Sequence, residues 1–310
     1  MSKKDNQHFV QRAYLKGFAT DVRPGELWEY DKETKTISDT PKSTRDICSL
    51  YQYYAAPGED GGIDPEVIEN ALHVVENPFI RILRTIQPEN DGEQITLTDE
   101  QFADFAYYVG MQFSRVPMLR SKIKDFMDRV VNAAKQARVN SSIKAQTSEE
   151  FRKSYESNTN GKIEHKEWAT IEHMTASAEQ MTNSLLKKAW TFLVPHEDIP
   201  LVISDNPVRF CSADPDHKTS IFGIGPAGDD TMVLMPLRKD LAVMILPCNR
   251  AGITNDEEYE AGNLRVKFLD KGQTKDFNKE TAKNAMRYVY NGTENEKLGN
   301  MIFKFKPKQP

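Results

Sequence analysis

Met232-Val233-Leu234-Met235 and Leu241-Ala242-Val243-Met244-Ile245-Leu246 are short, unbroken apolar runs with a proline and charged residues between them. Runs of this length, bounded by turn residues, read as buried strands rather than helices. Phe192-Leu193-Val194, Leu201-Val202-Ile203 and Leu264-Arg265-Val266-Lys267-Phe268 belong to the same set, so the strands cluster beyond residue 190. Near the other end, Glu26-Leu27-Trp28-Glu29-Tyr30 alternates like a half-buried strand, and Asp31-Lys32-Glu33-Thr34 turns it into a return strand through Ile37.

The region between is helical in pattern. Asp64 as N-cap and Pro65 at the first helical position predict a helix to about Ile86. Thr98-Asp99-Glu100-Gln101 has the capping-box form, and Phe102, Phe105, Ala106, Val109 and Phe113 follow at helical spacing. Pro117 should kink or end that helix, with a further stretch over 118–139. Residues 140–161 read as a polar connection with one short helix, 164–190 as a long helix, and 279–290 as the last. Helices grouped in the middle and strands grouped at the ends predict an α+β fold, not alternating βαβ units. The expected architecture is a central helical bundle packed against an antiparallel or mixed sheet. It forms a single domain over 1–310, with a helical portion 64–190 and a strand-rich portion 191–310, joined by the N-terminal segment 1–40.

The chain has 310 residues, 38% hydrophobic and 28% charged, with a net charge of −5. That is enough chain for one large core, and a balance that neither demands nor excludes a polyanionic partner. No apolar run reaches the roughly 20 residues of a membrane helix, and Met1 to Lys4 lead into no signal sequence. Cys48, Cys211 and Cys248 lack metal or disulfide spacing. Free thiols in a reducing cytoplasm are the expectation, with no membrane association.

Charge is uneven. Arg115, Arg120, Lys122, Lys124, Arg129, Lys135, Arg138 and Lys144 stand against only Asp125 and Asp128, and the tail Phe303-Lys304-Phe305-Lys306-Pro307-Lys308 alternates aromatics with lysines. Stretches like these suit a nucleic-acid backbone, and equally a solvated surface. Gly223-Ile224-Gly225-Pro226-Ala227-Gly228 matches GxGxxG, but Asp229-Asp230-Thr231 then leads into a strand, so a dinucleotide site is rejected.

The polar groups that could share a site lie far apart in sequence. In Asn6-Gln7-His8-Phe9-Val10-Gln11-Arg12-Ala13-Tyr14-Leu15-Lys16-Gly17-Phe18-Ala19, polar and apolar residues alternate at a chain end that would ordinarily fray. Glu69, His73 and Glu76 fall on one helix face, as metal-binding carboxylates and histidines do, or as a solvated stripe does. Asp205-Asn206-Pro207 closes an apolar run, a place for a catalytic carboxylate or for a plain turn. Arg12 and Arg115 offer bidentate forks for an anion, or for the glutamates.

With these pieces the chain resembles the domain-of-unknown-function 4238 family, a mostly bacterial group. The resemblance is carried by His8, Val10, Tyr14, Leu15, Phe18 and Ala19, with Gln11 where the family carries proline. Leu27-Trp28-Glu29-Tyr30-Asp31, Glu69 and Glu76, Gln112-x-x-Arg115-x-Pro117, Ile203-Ser204-Asp205-Asn206-Pro207-Val208 and Pro236-Leu237 extend it. It covers nearly the full chain, reaches Glu69 and Glu76 but not clearly His73, and implies no activity.

Carboxylates with a histidine and arginines near a basic surface match metal-assisted phosphodiester hydrolysis, the chemistry of a bacterial nuclease acting in defence against foreign genetic elements. Glu69, Glu76 and Asp205 would hold Mg²⁺ or Mn²⁺. His8 would activate water, Arg12 and Arg115 would hold phosphate, and Tyr14 and Asn206 complete the catalytic set. The contrasting expectation is a non-enzymatic binding or interaction protein whose polar cluster is structural. The two differ in geometry. A site leaves Glu76 and Asp205 facing a solvent-reachable cleft, whereas a structural network buries them fully paired.

Overall fold

The computed structural model describes residues 6–54, 56–57, 63–64, 66–122, 169–212, 228, 230–251 and 262–308. Its centre is a six-stranded mixed sheet of β8 (Gln94–Thr96), β9 (Ala189–Val194), β11 (Arg209–Ser212), β12 (Thr231–Arg238), β13 (Leu241–Leu246) and β14 (Asn263–Phe268). The order is β11-β12-β13-β9-β14-β8, antiparallel except where β14 runs beside β9. A second sheet joins the two chain ends. It consists of β2 (Glu26–Asp31), β3 (Thr36–Ile37), β10 (Ile203–Ser204) and β15 (Tyr288–Asn291) in the order β10-β15-β2-β3, with β4 (Lys42–Ser43) also on β2. The fold is α+β, as expected, although the sheet of the C-terminal half recruits β8 from between two helices.

Three helices cover the central sheet: α2 (Glu66–Thr85), α3 (Asp99–Ser114) and α4 (Ala169–Leu185). The capping box of α3 is real, with Thr98 Oγ1 accepting from Gln101 N and the Gln101 side chain from Thr98 N. One apolar cluster runs through helices and sheet, with Phe79, Phe105, Val109, Trp190, Phe192, Val243 and Ile245 among its members. Phe79 stacks flat on Tyr108 at 3.5 Å, and Trp190 meets Phe102 and Phe105 edge-on. The opening segment adds Phe9, Val10, Tyr14, Leu15 and Phe18 to the same cluster.

Three expectations are corrected. The helix expected over 164–190 stops at Leu185, and Trp190 lies in β9, paired with Ile245 and donating Nε1–H to the Leu185 carbonyl. The helix expected over 279–290 runs instead as α5 (Lys271–Asn284), and Tyr288–Asn291 is a strand, followed by α6 (Glu296–Ile302). Of Leu201-Val202-Ile203, only Ile203 enters a strand, because Asn278 Oδ1 and the Lys239 carbonyl take the preceding amides. α3 ends at Ser114 and residue 117 opens a new helix, so Pro117 sits where its missing N–H costs nothing. The expectations for Pro65, for 123–161 and for Gly223–Ala227 lie outside the described residues.

α3 and α4 approach closely at Gly110, where a Cβ would lie 2.8 Å from the Ala178 carbonyl and 3.2 Å from Thr182 Oγ1. Helix propensity favours alanine there by about 1 kcal/mol. Forcing the helices apart costs more, so Gly110→Ala should lower stability by a net ~1–3 kcal/mol, read as a lower urea midpoint at unchanged slope.

Candidate functional site

The N-terminal segment is docked. β1 (Asn6–His8) pairs antiparallel with β5 (Ser49–Tyr51), and the Cys48 carbonyl accepts from Phe9 N at 2.9 Å. Gln7 Oε1 accepts from Tyr54 N, while the Tyr54 hydroxyl donates to the His8 carbonyl. In α1 (Arg12–Leu15), fully buried Tyr14 packs edge-on against Phe18, Phe79 and Tyr108. Its hydroxyl donates to the Pro236 carbonyl. That carbonyl lies past Leu234, where the pairing of β12 with β11 stops, so Tyr14 supplies a partner that the sheet does not. Tyr14, expected in the catalytic set, turns its hydroxyl to the sheet.

Behind this segment lies Arg115, with 0% of its surface exposed. Nη1 donates to Glu76 Oε1 at 2.6 Å, while Nε and Nη2 both donate to Gln112 Oε1, at 3.1 and 2.6 Å. Gln112 then passes its own N–H to the Phe9 carbonyl at 2.9 Å. Burial works against the charge of Arg115, but Glu76 outweighs it, and the guanidinium is held more firmly protonated than usual. His73 Nδ1 lies 3.4 Å from Glu76 Oε2 on the outer side, with its side chain 57% exposed. The Arg115 carbonyl accepts from the Tyr53 hydroxyl, and Arg120 stacks over the Tyr53 ring at 4.2 Å.

Asp205 anchors a second network. Its side chain is buried, Oδ1 accepts from Met286 N at 2.7 Å, and Oδ2 accepts from Arg287 N and Tyr288 N at 2.8 Å each. Three backbone amides thus wrap one carboxylate and set the turn between α5 and β15. Burial pushes its pKa up to about 6, against the three amides and Lys32, which favour the charged form. Buried Lys32 donates to the Ala282 and Ala285 carbonyls at the end of α5, and burial lowers its pKa to about 8. Asn206 and Asn284 exchange hydrogen bonds, Nδ2 of each to the other's carbonyl.

His8 is half-buried, with Nε2 3.0 Å from the Thr44 carbonyl. Burial lowers its pKa; the Thr44 bond opposes this, and the positive charges of Arg115 and Arg12 add to it. Neutral imidazole is therefore its form near pH 7.

The residues singled out from sequence divide into groups. His8, Arg12, Glu76 and Arg115 are neighbours around the docked segment, while Asp205 and Asn206 are bound up in the α5–β15 turn. Glu69, Glu76 and Asp205 do not converge. Among the described residues, no three His, Cys, Asp or Glu side chains come close enough together to hold a metal ion. The expected Mg²⁺ or Mn²⁺ donor set does not fit, because Asp205 lies in the α5–β15 turn, away from Glu76, which is held against a guanidinium. A cavity of about 600 Å³ lies elsewhere, at the end of α4, where Ser184, Lys187, Lys188 and Cys248 are among its walls. Of the basic stretch, only residues up to Lys122 fall within the described part, and the C-terminal tail turns back so that Lys308 N donates to the Met286 carbonyl. Sequence reasoning missed Lys32, Thr44 and Asn284. Only Gln112, one helical turn before Arg115, carried a signal.

The family described as "Protein of unknown function (DUF4238)" matches residues 6–295, and the chain belongs to it. No curated protein and no solved structure matches.

Glu76→Gln should cost about 3–5 kcal/mol in urea unfolding, because it leaves the Arg115 charge buried without a counter-ion. The double variant with Arg115→Met should recover most of that loss. For Asp205, a folded pKa raised above the unfolded value means stability is present at acid pH and falls as pH rises from about 4 through about 6. Relative to Asp205→Asn, which does not titrate, the wild type should therefore gain urea stability between pH 7 and pH 4.

Proposed function

We propose that this protein is a non-enzymatic binding or interaction protein, in which the polar cluster is a structural latch for the N-terminal segment. The observation that carries this reading is Asp205, buried with both oxygens taken by three backbone amides. A carboxylate so engaged has three of its roughly four lone-pair sites filled and is cut off from water, an arrangement that serves the turn rather than a metal or a substrate. Glu76 supports the same conclusion, since among the described residues it is the one acidic partner of Arg115.

Metal-assisted phosphodiester hydrolysis in bacterial defence is the rival, and it would require Glu69, Glu76 and Asp205 to leave their present surroundings and gather. No helix among the described residues is long and apolar enough to cross a membrane. The three free cysteines suit a reducing compartment, and our reading places the protein in the cytoplasm.

Calorimetric titration with Mg²⁺ and Mn²⁺, on wild type and on Asp205→Ala, tests the proposal. The expected result is no binding that depends on Asp205, together with a stability loss of about 3–5 kcal/mol in the variant as three buried amides lose their acceptor. An ion that binds the wild type and is lost in Asp205→Ala would overturn it.

A further inference from the structure

The two networks consume their own charges, but one neighbourhood of the docked segment does not. Arg12 is half-buried and makes no ion pair with a described residue, and its Nε–H is buried without a hydrogen-bond partner. Thr44, only 1% exposed, has a hydroxyl that is likewise buried and without a partner. Both residues flank His8. Thr44 does so through its carbonyl on the imidazole, and Arg12 through its charge, which bears on the ring's protonation.

Lys16 follows Arg12 by one helical turn and shares its face. Gly25, at φ +82°, leaves open the point where a Cβ would sit, 3.5 Å from Thr44 Oγ1 and 3.6 Å from Lys16 Cε. Thr44 Oγ1 and the Lys16 side chain thus approach each other across Gly25, and Arg12, from the same segment as Lys16, bears on His8 beside them. Among the described residues, the other charges bearing on His8, those of Arg115 and Glu76, are paired with each other.

Buried donors without acceptors cost free energy, and a guanidinium half out of water without a counter-ion costs more. Both deficits are met by a ligand rich in acceptor oxygens and negative in charge. Two cationic side chains and a hydroxyl suit a phosphate, which offers more charge and more acceptor oxygens than a carboxylate. We propose that Arg12, Lys16 and Thr44 form a binding site for a phosphate group, with His8 as a positioning residue that holds the Thr44 backbone. This rests on the binding-protein reading in one respect: the ligand is released unchanged.

Calorimetry on the full-length protein with inorganic phosphate, and separately with a nucleoside monophosphate, tests the site and distinguishes free phosphate from an esterified one. Wild type should bind at least one of the two. Arg12→Ala should weaken that binding by at least about tenfold. Thr44→Val is the second variant. It removes the unpartnered hydroxyl at nearly constant shape, so it should weaken phosphate binding by about fivefold while leaving the free protein as stable as wild type or more so. A residue with a merely structural role would lose stability instead.

Absence of binding to wild type, or binding that Arg12→Ala and Thr44→Val both leave unchanged, would overturn the site. Analysis of the recovered monophosphate separates the two readings. If it binds through Arg12 and is hydrolysed, the site stands and the non-enzymatic reading falls.

Discussion

A guanidinium cannot shed its proton to escape an apolar interior, so burying Arg115 completely obliges the fold to surround it with acceptors. That constraint sets the arrangement of everything nearby. Glu76 must project from α2 toward α3, which fixes the rotation of one helix against the other. Gln112 must turn its oxygen toward Arg115, which leaves its N–H pointing outward to the Phe9 carbonyl. The N-terminal segment is thus held by the same side chain that compensates the arginine. His8 and Arg12 occupy their positions because this chain of dependence ends on Phe9.

The same logic operates at the α5–β15 turn with the opposite sign of charge. There an anion is buried, and the fold supplies amide donors from Met286, Arg287 and Tyr288. Lys32 brings a cation close enough to favour that anion while satisfying the open carbonyls at the end of α5. In both networks the charge is matched within the fold. Arg12 Nε and Thr44 Oγ1, at the margin where the docked segment meets β4, are among the buried polar atoms left without a partner within the described residues.

The fold class was legible because buried strands in this chain are short apolar runs, and α3 announces itself with Thr98 and Gln101. The errors arose where tertiary bonds override local pattern. Trp190 and Tyr288 continue apolar periodicities that look helical, yet the first is drawn into β9 by its pairing with β13, and the second follows a turn made by Asp205 from 83 residues away. The site was legible in its charged members, Glu76, Arg115 and Asp205, because charges in otherwise apolar surroundings stand out. Their partners were not. Most are backbone amides and carbonyls, which every residue carries, and Lys32 sits in a stretch that reads as an exposed turn.

Tyr14 reaches a carbonyl 222 residues away, and β2 is paired along Trp28–Asp31 by the strand at 288–291. A ribosome delivers the first partner of each pair long before the second. Phe9 can meet Tyr53 and Tyr14 can meet Phe79 early, but the Tyr14 hydroxyl lacks its acceptor until residue 236 has emerged, and β2 lacks β15 until residue 291 has. Closing such long loops is slow, and the unpaired edge of β2 is available to chaperones or to other nascent chains in the interval. A chain that terminates prematurely before residue 288 would leave β2 without its longest neighbour, so quality control could recognise incomplete copies by their unclosed beginning.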